Sequence, residues 1–251
     1  VVAENFFTGL IAKEYRTRWP HLYEPAVVEP AVDFLEGLAR GGRVLELGVG
    51  TGRLALPLSA RGVELHGIEL SADMVEELRL QDGGAAVGIT LGDFATAKVD
   101  ERGGSFTLAY LVRNTIMNLT TQDAQVECFR NVAWHLETGG RFVIEVMVPD
   151  LRRLPPGTTA RAFALEPEHL GFEEYDTATQ RSVSHHIFLR DRHAEMWSPP
   201  FRYVWPPELD LMARLAGMTL RERWSDWDRS AFTSDSRNHI SVWEKMADTA
   251  L

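Results

Sequence analysis

The sequence predicts an α/β fold built on a doubly wound, largely parallel sheet, and three observations carry that prediction. Arg43 to Leu56 reads RVLELGVGTGRLAL, a short apolar strand followed by a glycine turn and a helix start. From there to Val148, short apolar runs alternate with stretches of helical periodicity, the rhythm of successive βα units. After Pro149 the rhythm gives way to long alternating runs, and it returns at Pro206. These breaks divide the chain into a helical cap or lid (residues 1–40), a ligand-binding core (41–149), an antiparallel β insertion (150–205) and a return to the core (206–251).

In the cap, Phe6, Phe7, Leu10 and Ile11 have helical spacing. Tyr15, Trp19 and Tyr23 fall four apart, although Pro20 argues against one continuous helix. Beyond Pro25 and Pro30 an apolar stripe follows at Val32, Leu35 and Leu38. The aromatics either pack on the core or close over a bound ligand.

The core opens with a strand at Val44 to Leu47, then Gly48, Gly50 and Gly52. Positions without a Cβ let the main chain approach a ligand, and the N–H groups opening the next helix are free donors. The spacing is G-x-G-x-G. A dinucleotide site would need G-x-G-x-x-G, and a P-loop would need Lys and Ser/Thr after the last glycine. A nicotinamide enzyme is therefore disfavoured. Val63 to Leu70 is the second strand, closing on Glu69, with Ser71 as N-cap of the next helix. An acid at that place accepts the ribose hydroxyls of a nucleoside, or merely ends a strand in water. Ile89 to Leu91 is the third strand, followed by Gly92, Asp93 and Phe94; an Asp in a loop is most often a turn former.

Phe106 to Val112 is the fourth strand, and Arg113 to Asn118 form the loop at its carboxyl end, where the reacting group sits in an open α/β sheet. Asn114 and Asn118 offer hydrogen bonds there, and Met117 an apolar wall; Asn114 could equally cap the following helix. Gln122 to Leu136 is that helix, with Thr138-Gly139-Gly140 read as its C-cap and Arg141 to Val148 as the fifth strand.

The insertion offers extended runs at Arg161 to Glu166, His169 to Thr177, Arg181 to Leu189 and Ala194 to Trp205. Hairpin turns are expected at Asp176 to Gln180 and at Asp191-Arg192. His185 and His186 are neighbours in a strand, point to opposite faces and cannot readily ligate one metal. No cluster with metal-ligand spacing is seen, so no metal is expected. The last segment reads as a helix from Pro206-Pro207-Glu208 to Gly217, then strands at Met218 to Trp227 and His239 to Lys245.

The run E-L-G-V-G-T-G from Glu46 to Gly52, Glu69 closing the second strand, and Gly92-Asp93-Phe94 after the third together resemble the ordered motifs of class I S-adenosylmethionine-dependent methyltransferases. The resemblance is to the small-molecule branch, which N-methylates amino sugars and other antibiotic precursors, including lincosamides. It implies a Rossmann-like, seven-stranded sheet ending in an antiparallel hairpin edge, with S-adenosyl-L-methionine as cofactor and S-adenosylhomocysteine as product. Glu46, Leu47, Gly48, Gly50 and Gly52 would surround the methionine half, Glu69 and Leu70 the ribose. Met74, Gly92, Asp93 and Phe94 would meet the adenine, and Leu111 would flank the cofactor. Tyr15 would reach it from the lid. Leu22 to Pro25 (LYEP) loosely resembles a Tyr-Asp pair of that lid, with Glu24 in place of Asp.

On the acceptor side the expected contacts are Trp19, Tyr23, Asn114, Met117, Asn118, His185 and His186, with Tyr15, Tyr23 and Asn114 as the catalytic candidates. The loop after the fourth strand lacks the N/D-P-P-Y/F of enzymes that methylate nucleic-acid bases or protein amides, which points to a small molecule. No His follows that strand to serve as a base for a hydroxyl. A neutral amine needs only deprotonation and desolvation, and aromatic rings suit its cationic product. N-methylation is therefore the leading reading. An O-methyltransferase using His185 or His186 as base, and a non-catalytic cofactor sensor or assembly subunit, are the alternatives. In the resembling enzymes the inserted sheet covers the active site and joins subunits, so a homo-oligomer is expected.

Composition narrows the partners. A net charge of −10 over 251 residues disfavours nucleic acid, whose phosphates are met by basic patches. No apolar run approaches the ~20 residues of a membrane span, and the N-terminus lacks the order of a signal peptide. The single cysteine, Cys128, lies in a helical apolar pattern and suits core packing in a reducing cytoplasm.

Overall fold

Val44–Leu47, with every residue buried, forms strand β1 at the centre of the main sheet. The structure, a computed structural model, describes residues 5–151, 154–190 and 193–247. β1 lies parallel to β2 (Leu65–Glu69) on one side and β4 (Phe106–Leu111) on the other. β3 (Gly88–Leu91) continues the sheet beyond β2, and β5 (Leu136–Met147) beyond β4, both parallel. Late in the chain, β11 (Met218–Trp224) and β12 (Asn238–Lys245) return to the same sheet, β12 running antiparallel between β5 and β11. The full order is β11-β12-β5-β4-β1-β2-β3. This is the seven-stranded sheet with an antiparallel late hairpin that the sequence implied.

Alternation along the strands divides the core into two layers. Leu45, Ala109, Leu111, Ile144 and Trp243 face helices α5 (Gln122–His135) and α6 (Pro206–Leu215). Val44, Leu108, Tyr110, Val143 and Val242 face α2 (Pro25–Ala39) and α3 (Ala55–Ala60). α4 (Ala72–Arg79) follows β2, and the Ser71 side chain accepts from the Met74 N–H as its N-cap. Glycine at the β1 turn is required by geometry: Gly48 has φ +69, and a Cβ there would stand 2.7 Å from Thr115 Cγ2.

The second sheet follows β5. It contains β6 (Ala160–Glu166), β7 (His169–Asp176), β8 (Arg181–Arg190), β9 (His193–Trp197) and β10 (Pro200–Arg202), all antiparallel to their neighbours. The turn expected at Asp191-Arg192 lies outside the described residues.

Helix α1 (Gly9–Arg18) ends before Pro20, and a single 3-10 turn, Pro20–Tyr23, joins it to α2. Pro30 sits inside α2, where Pro25 supplies the first helical position. One local expectation is corrected. Thr138-Gly139-Gly140 is not the C-cap of α5, for the helix stops at His135 and Leu136 is already extended. The Gly104 and Ser105 N–H groups, 2.9 and 3.0 Å from the Trp134 and His135 carbonyls, satisfy its last turn instead.

Candidate active site

The carboxyl ends of β1, β2 and β4 converge on the glycine turn. Gly48 N donates to Ile68 O at 2.8 Å, which ties the turn to β2. Glu69, at the end of β2, is 8% exposed and spans two backbones: Oε2 accepts from Gly50 N at 2.8 Å and Oε1 from Ser71 N at 2.9 Å. Burial raises its carboxyl above the usual range, and the amides of Ser71, Gly50 and Leu70 oppose that shift. Each oxygen retains a further lone pair for a ligand hydroxyl.

Glu46, 4% exposed, accepts from the Tyr110 hydroxyl at 2.7 Å. Burial pushes its carboxyl up to about 8, against the Tyr110 bond and the nearby Arg53. Asp93 closes the β3 loop: Oδ1 accepts from Ala95 N at 2.8 Å, and Oδ2 has no donor among the described residues. The Phe94 ring reaches within 4.0 Å of where a Gly48 Cβ would stand. Gly92 and Leu70 are half-buried beside these groups, while Leu47, Met74 and Leu111 are buried.

The cap lies across this edge. Tyr23 Oη is 2.7 Å from Thr51 Oγ1 in the glycine turn. Ser71 Oγ donates to Phe7 O at 2.5 Å, and Gly9 N donates to Asp73 Oδ2 at 2.5 Å. The Tyr15 phenol is pushed up by burial and lies within electrostatic reach of Arg113, Arg53 and Glu69. Its ring stands 4.7 Å from that of Trp19. Trp19 in turn faces Trp197 at 5.8 Å and His186 at 6.2 Å, both from the second sheet. A wall of aromatic rings thus runs from Glu69 to β8 and β9.

The other residues expected near the acceptor take the following places. His185 lies on the outer face of the second sheet, stacked on Phe172 at 4.5 Å and hydrogen-bonded to Ser198 and Glu174. Its strand neighbour His186 takes the inner face, as alternation requires. The Arg16 guanidinium stands 4.3 Å over the Tyr23 ring, and Tyr15 lies within electrostatic reach of the Tyr23 hydroxyl. Met117 is packed into the α5-side core. Asn114 does not cap the 3-10 turn Thr115–Asn118 with its side chain. Its Oδ1 accepts from Met147 N at 2.7 Å, so its carbonyl is committed to joining the loop to β5. Arg113 and Asn114, at φ 58 and 63, both hold the left-handed conformation. Asn118 is half-buried in the same turn.

Sequence reasoning missed Thr51, Arg53, Tyr110 and Trp197. Thr51 and Arg53 lie inside the quoted glycine run, so position alone could have marked them. Nothing local marks the other two.

Among the described residues no group of three or more His, Cys, Asp or Glu side chains is placed to hold a metal ion, and no helix is long and apolar enough to cross a membrane. The glycine cradle and its two flanking carboxyl groups suit a nucleoside that brings positive charge.

Comparison with known proteins bears on that fit. A family described as a methyltransferase domain matches residues 44–140. The CcbJ methyltransferase from Streptomyces caelestis is 36% identical, with a TM-score of 0.79 over 91% of this chain and 96% of that one. Two others share the fold at lower identity. CalS10, an amino pentose methyltransferase from Micromonospora echinaspora involved in calicheamicin biosynthesis, is 19% identical, with a TM-score of 0.64 over 97% of this chain and 99% of that one. The sugar N-methyltransferase KedS8 from Streptoalloteichus sp. is 16% identical, with a TM-score of 0.66 over 98% of each chain. No curated protein matches the chain in sequence. With 36% identity to CcbJ over 91% of its length, and the glycine turn, Glu69 and Asp93 gathered at one sheet edge, the chain belongs to the S-adenosylmethionine-dependent methyltransferases.

Proposed function

We propose that this methyltransferase N-methylates a small amine, an amino sugar or lincosamide-like antibiotic precursor. The observation that carries the choice of nitrogen is the setting of His186, the histidine that faces the ring wall: its Nδ1 lies 2.9 Å from His169 Nε2, and its ring packs on His169, Phe188 and Trp197. Burial first, then His169, Arg18 and His185, holds it down to about 4. A base that weak removes a proton from a hydroxyl poorly. The amino-sugar class is drawn from the printed activities of CalS10 and KedS8, whose likeness to this chain is one of fold.

When bound, S-adenosylmethionine supplies an electrophilic methyl on a sulfonium. In this reading Glu69 holds the ribose, Glu46 faces the methionine half, and Asp93 with Phe94 receives the adenine. The cap (residues 1–40) and the insertion (residues 150–205) exclude water from the acceptor, which raises the reactivity of a neutral amine. Tyr15 and Trp19 orient it. Fixing both reactants contributes on the order of 7–11 kcal/mol to lowering the barrier. The same rings accept the positive charge that grows on nitrogen.

The outer face of the second sheet supports the reading as a homo-oligomer. Leu165, Leu170, Ile187 and Met196 are successive register partners on β6, β7, β8 and β9, so they form one apolar row. Leu165 is 81% and Met196 67% exposed. Light scattering of purified protein tests it: a monomer removes that role from the insertion.

A mass-shift screen tests the acceptor. The protein is incubated with cofactor and a panel of amino sugars, cyclic amines and their hydroxyl analogues. Gain of one CH2 by amines alone is the expected result. Methylation of the hydroxyl analogues in preference would favour O-methylation instead.

A further inference from the structure

We propose that Tyr110 is a positioning residue for the methyl donor, its hydroxyl aiming the Glu46 carboxylate at the ammonium of the cofactor's methionine half. The proposal rests on the reading above that Glu46 faces that half. Tyr110 is on β4 and Glu46 on β1, and the parallel register sets them directly opposite each other. Both side chains therefore leave the sheet on the same face. The hydroxyl lies 2.7 Å from Glu46 Oε2, Tyr110 is completely buried, and Glu46 is nearly so.

The surroundings make this one bond matter. The groups that face Glu46 are Tyr110 from β4, Arg53 from the glycine turn, Glu69 from the end of β2 and the backbone of Ala55 at the start of α3. Neither a lysine nor an arginine hydrogen-bonds its carboxylate among the described residues. Glu69 is already held by two backbone amides and repels a second charge beside it. Two carboxyl groups thus flank one glycine turn, with Arg53 as the neighbouring cation. That arrangement favours a ligand that brings positive charge of its own.

In the free protein Glu46 carries a proton over part of the neutral range, since burial outweighs the single Tyr110 bond. An ammonium group arriving beside it favours the carboxylate. The proton leaves Glu46 for the buffer, and the carboxylate pairs with the ammonium; no other bond is made or broken. The Tyr110 hydroxyl donates to that carboxylate and lowers the cost of ionising it. Removing the hydroxyl makes the same ionisation harder, which a change in packing alone would not do.

The experiment needs no acceptor. Binding of S-adenosylhomocysteine is followed by calorimetry from about pH 6 to about pH 8.5, in buffers of different ionisation enthalpy, so that proton release is read directly. The wild-type protein should release part of a proton near neutrality and bind more tightly as pH rises. Glu46→Gln should abolish that release and flatten the profile. Tyr110→Phe keeps the ring and should weaken binding several-fold near neutrality, with recovery at the alkaline end as the profile moves upward. In the Glu46→Gln background Tyr110→Phe should have no effect on affinity. Equal weakening at every pH, no weakening at all, or an undiminished effect in that background would overturn the role of Tyr110. Glu46→Gln with wild-type affinity and proton release would instead overturn the placement of Glu46, a distinguishable failure.

Discussion

Tyr23 and Thr51 share a 2.7 Å hydrogen bond that fastens the N-terminal cap to the glycine turn. Thr51 is buried, so the bond closes over the turn rather than over open solvent. A neutral hydrogen bond of this kind contributes ~0.5–1.5 kcal/mol. Tyr23→Phe should therefore speed dissociation of S-adenosylhomocysteine several-fold, as measured by stopped-flow displacement, with a small change in Tm. An unchanged dissociation rate would remove Tyr23 from the lid.

Glu69 bridges Gly50 N and Ser71 N, so its carboxylate shapes the cofactor edge before any ligand arrives. Glu69→Ala should weaken S-adenosylhomocysteine binding by ~1–3 kcal/mol, through lost charge-assisted hydrogen bonds and two uncapped amides. Glu69→Gln retains one acceptor and should lose less. Calorimetry on the three proteins checks the order, and equal affinities would exclude Glu69 from the site.

The parts of this site legible in the sequence are those set by short-range geometry. Gly48 must be glycine because its φ is positive and Thr115 crowds it, and a spacing rule finds such a residue. Glu69 ends β2 and Asp93 follows β3 by two residues, so their place at the sheet edge follows from recognising the strands. The Tyr110–Glu46 bond was not legible, because it joins residues 64 apart through a parallel register that no local pattern encodes. Alternation put His185 and His186 on opposite faces. Which face turns inward depends on how the second sheet docks on the N-terminal cap, where Trp197 Nε1 donates to Phe6 O, just before α1, at 2.8 Å. Gly139 looked like a helix terminator for the same reason: the true cap of α5 comes from Gly104 and Ser105, thirty residues upstream in a different loop.

His186 is held down to about 4, chiefly by burial, and its Nδ1 lies 2.9 Å from His169 Nε2. A histidine depressed on folding binds its proton more readily in the unfolded chain. Between an unfolded value of ~6.5 and the folded one, the unfolded chain holds more protons, so stability falls as pH falls through that window. His186→Gln should flatten this acid limb in thermal melts. It should also leave the pH dependence of kcat/KM near neutrality unchanged, because His186 is already neutral there. A neutral-range limb that vanished in the variant would make His186 the base of an O-methyltransferase.

Gly48 tests the cradle itself, since two separable costs meet at one Cβ. Its φ of +69 strains any other residue, and a Cβ would stand 2.7 Å from Thr115 Cγ2. Gly48→Ala should therefore destabilise the protein by ~1–3 kcal/mol, combining the left-handed backbone cost with the clash. Thr115→Ser removes Cγ2 while keeping the hydroxyl that donates to Val112 O at 2.7 Å. In the double variant the steric part should be relieved and the backbone part should remain, so melts should show partial recovery. Complete recovery would mean that the turn tolerates the backbone geometry without strain. No recovery would mean that Thr115 gives way freely, and that the approach of the loop after β4 to the glycine turn does not constrain the cofactor edge.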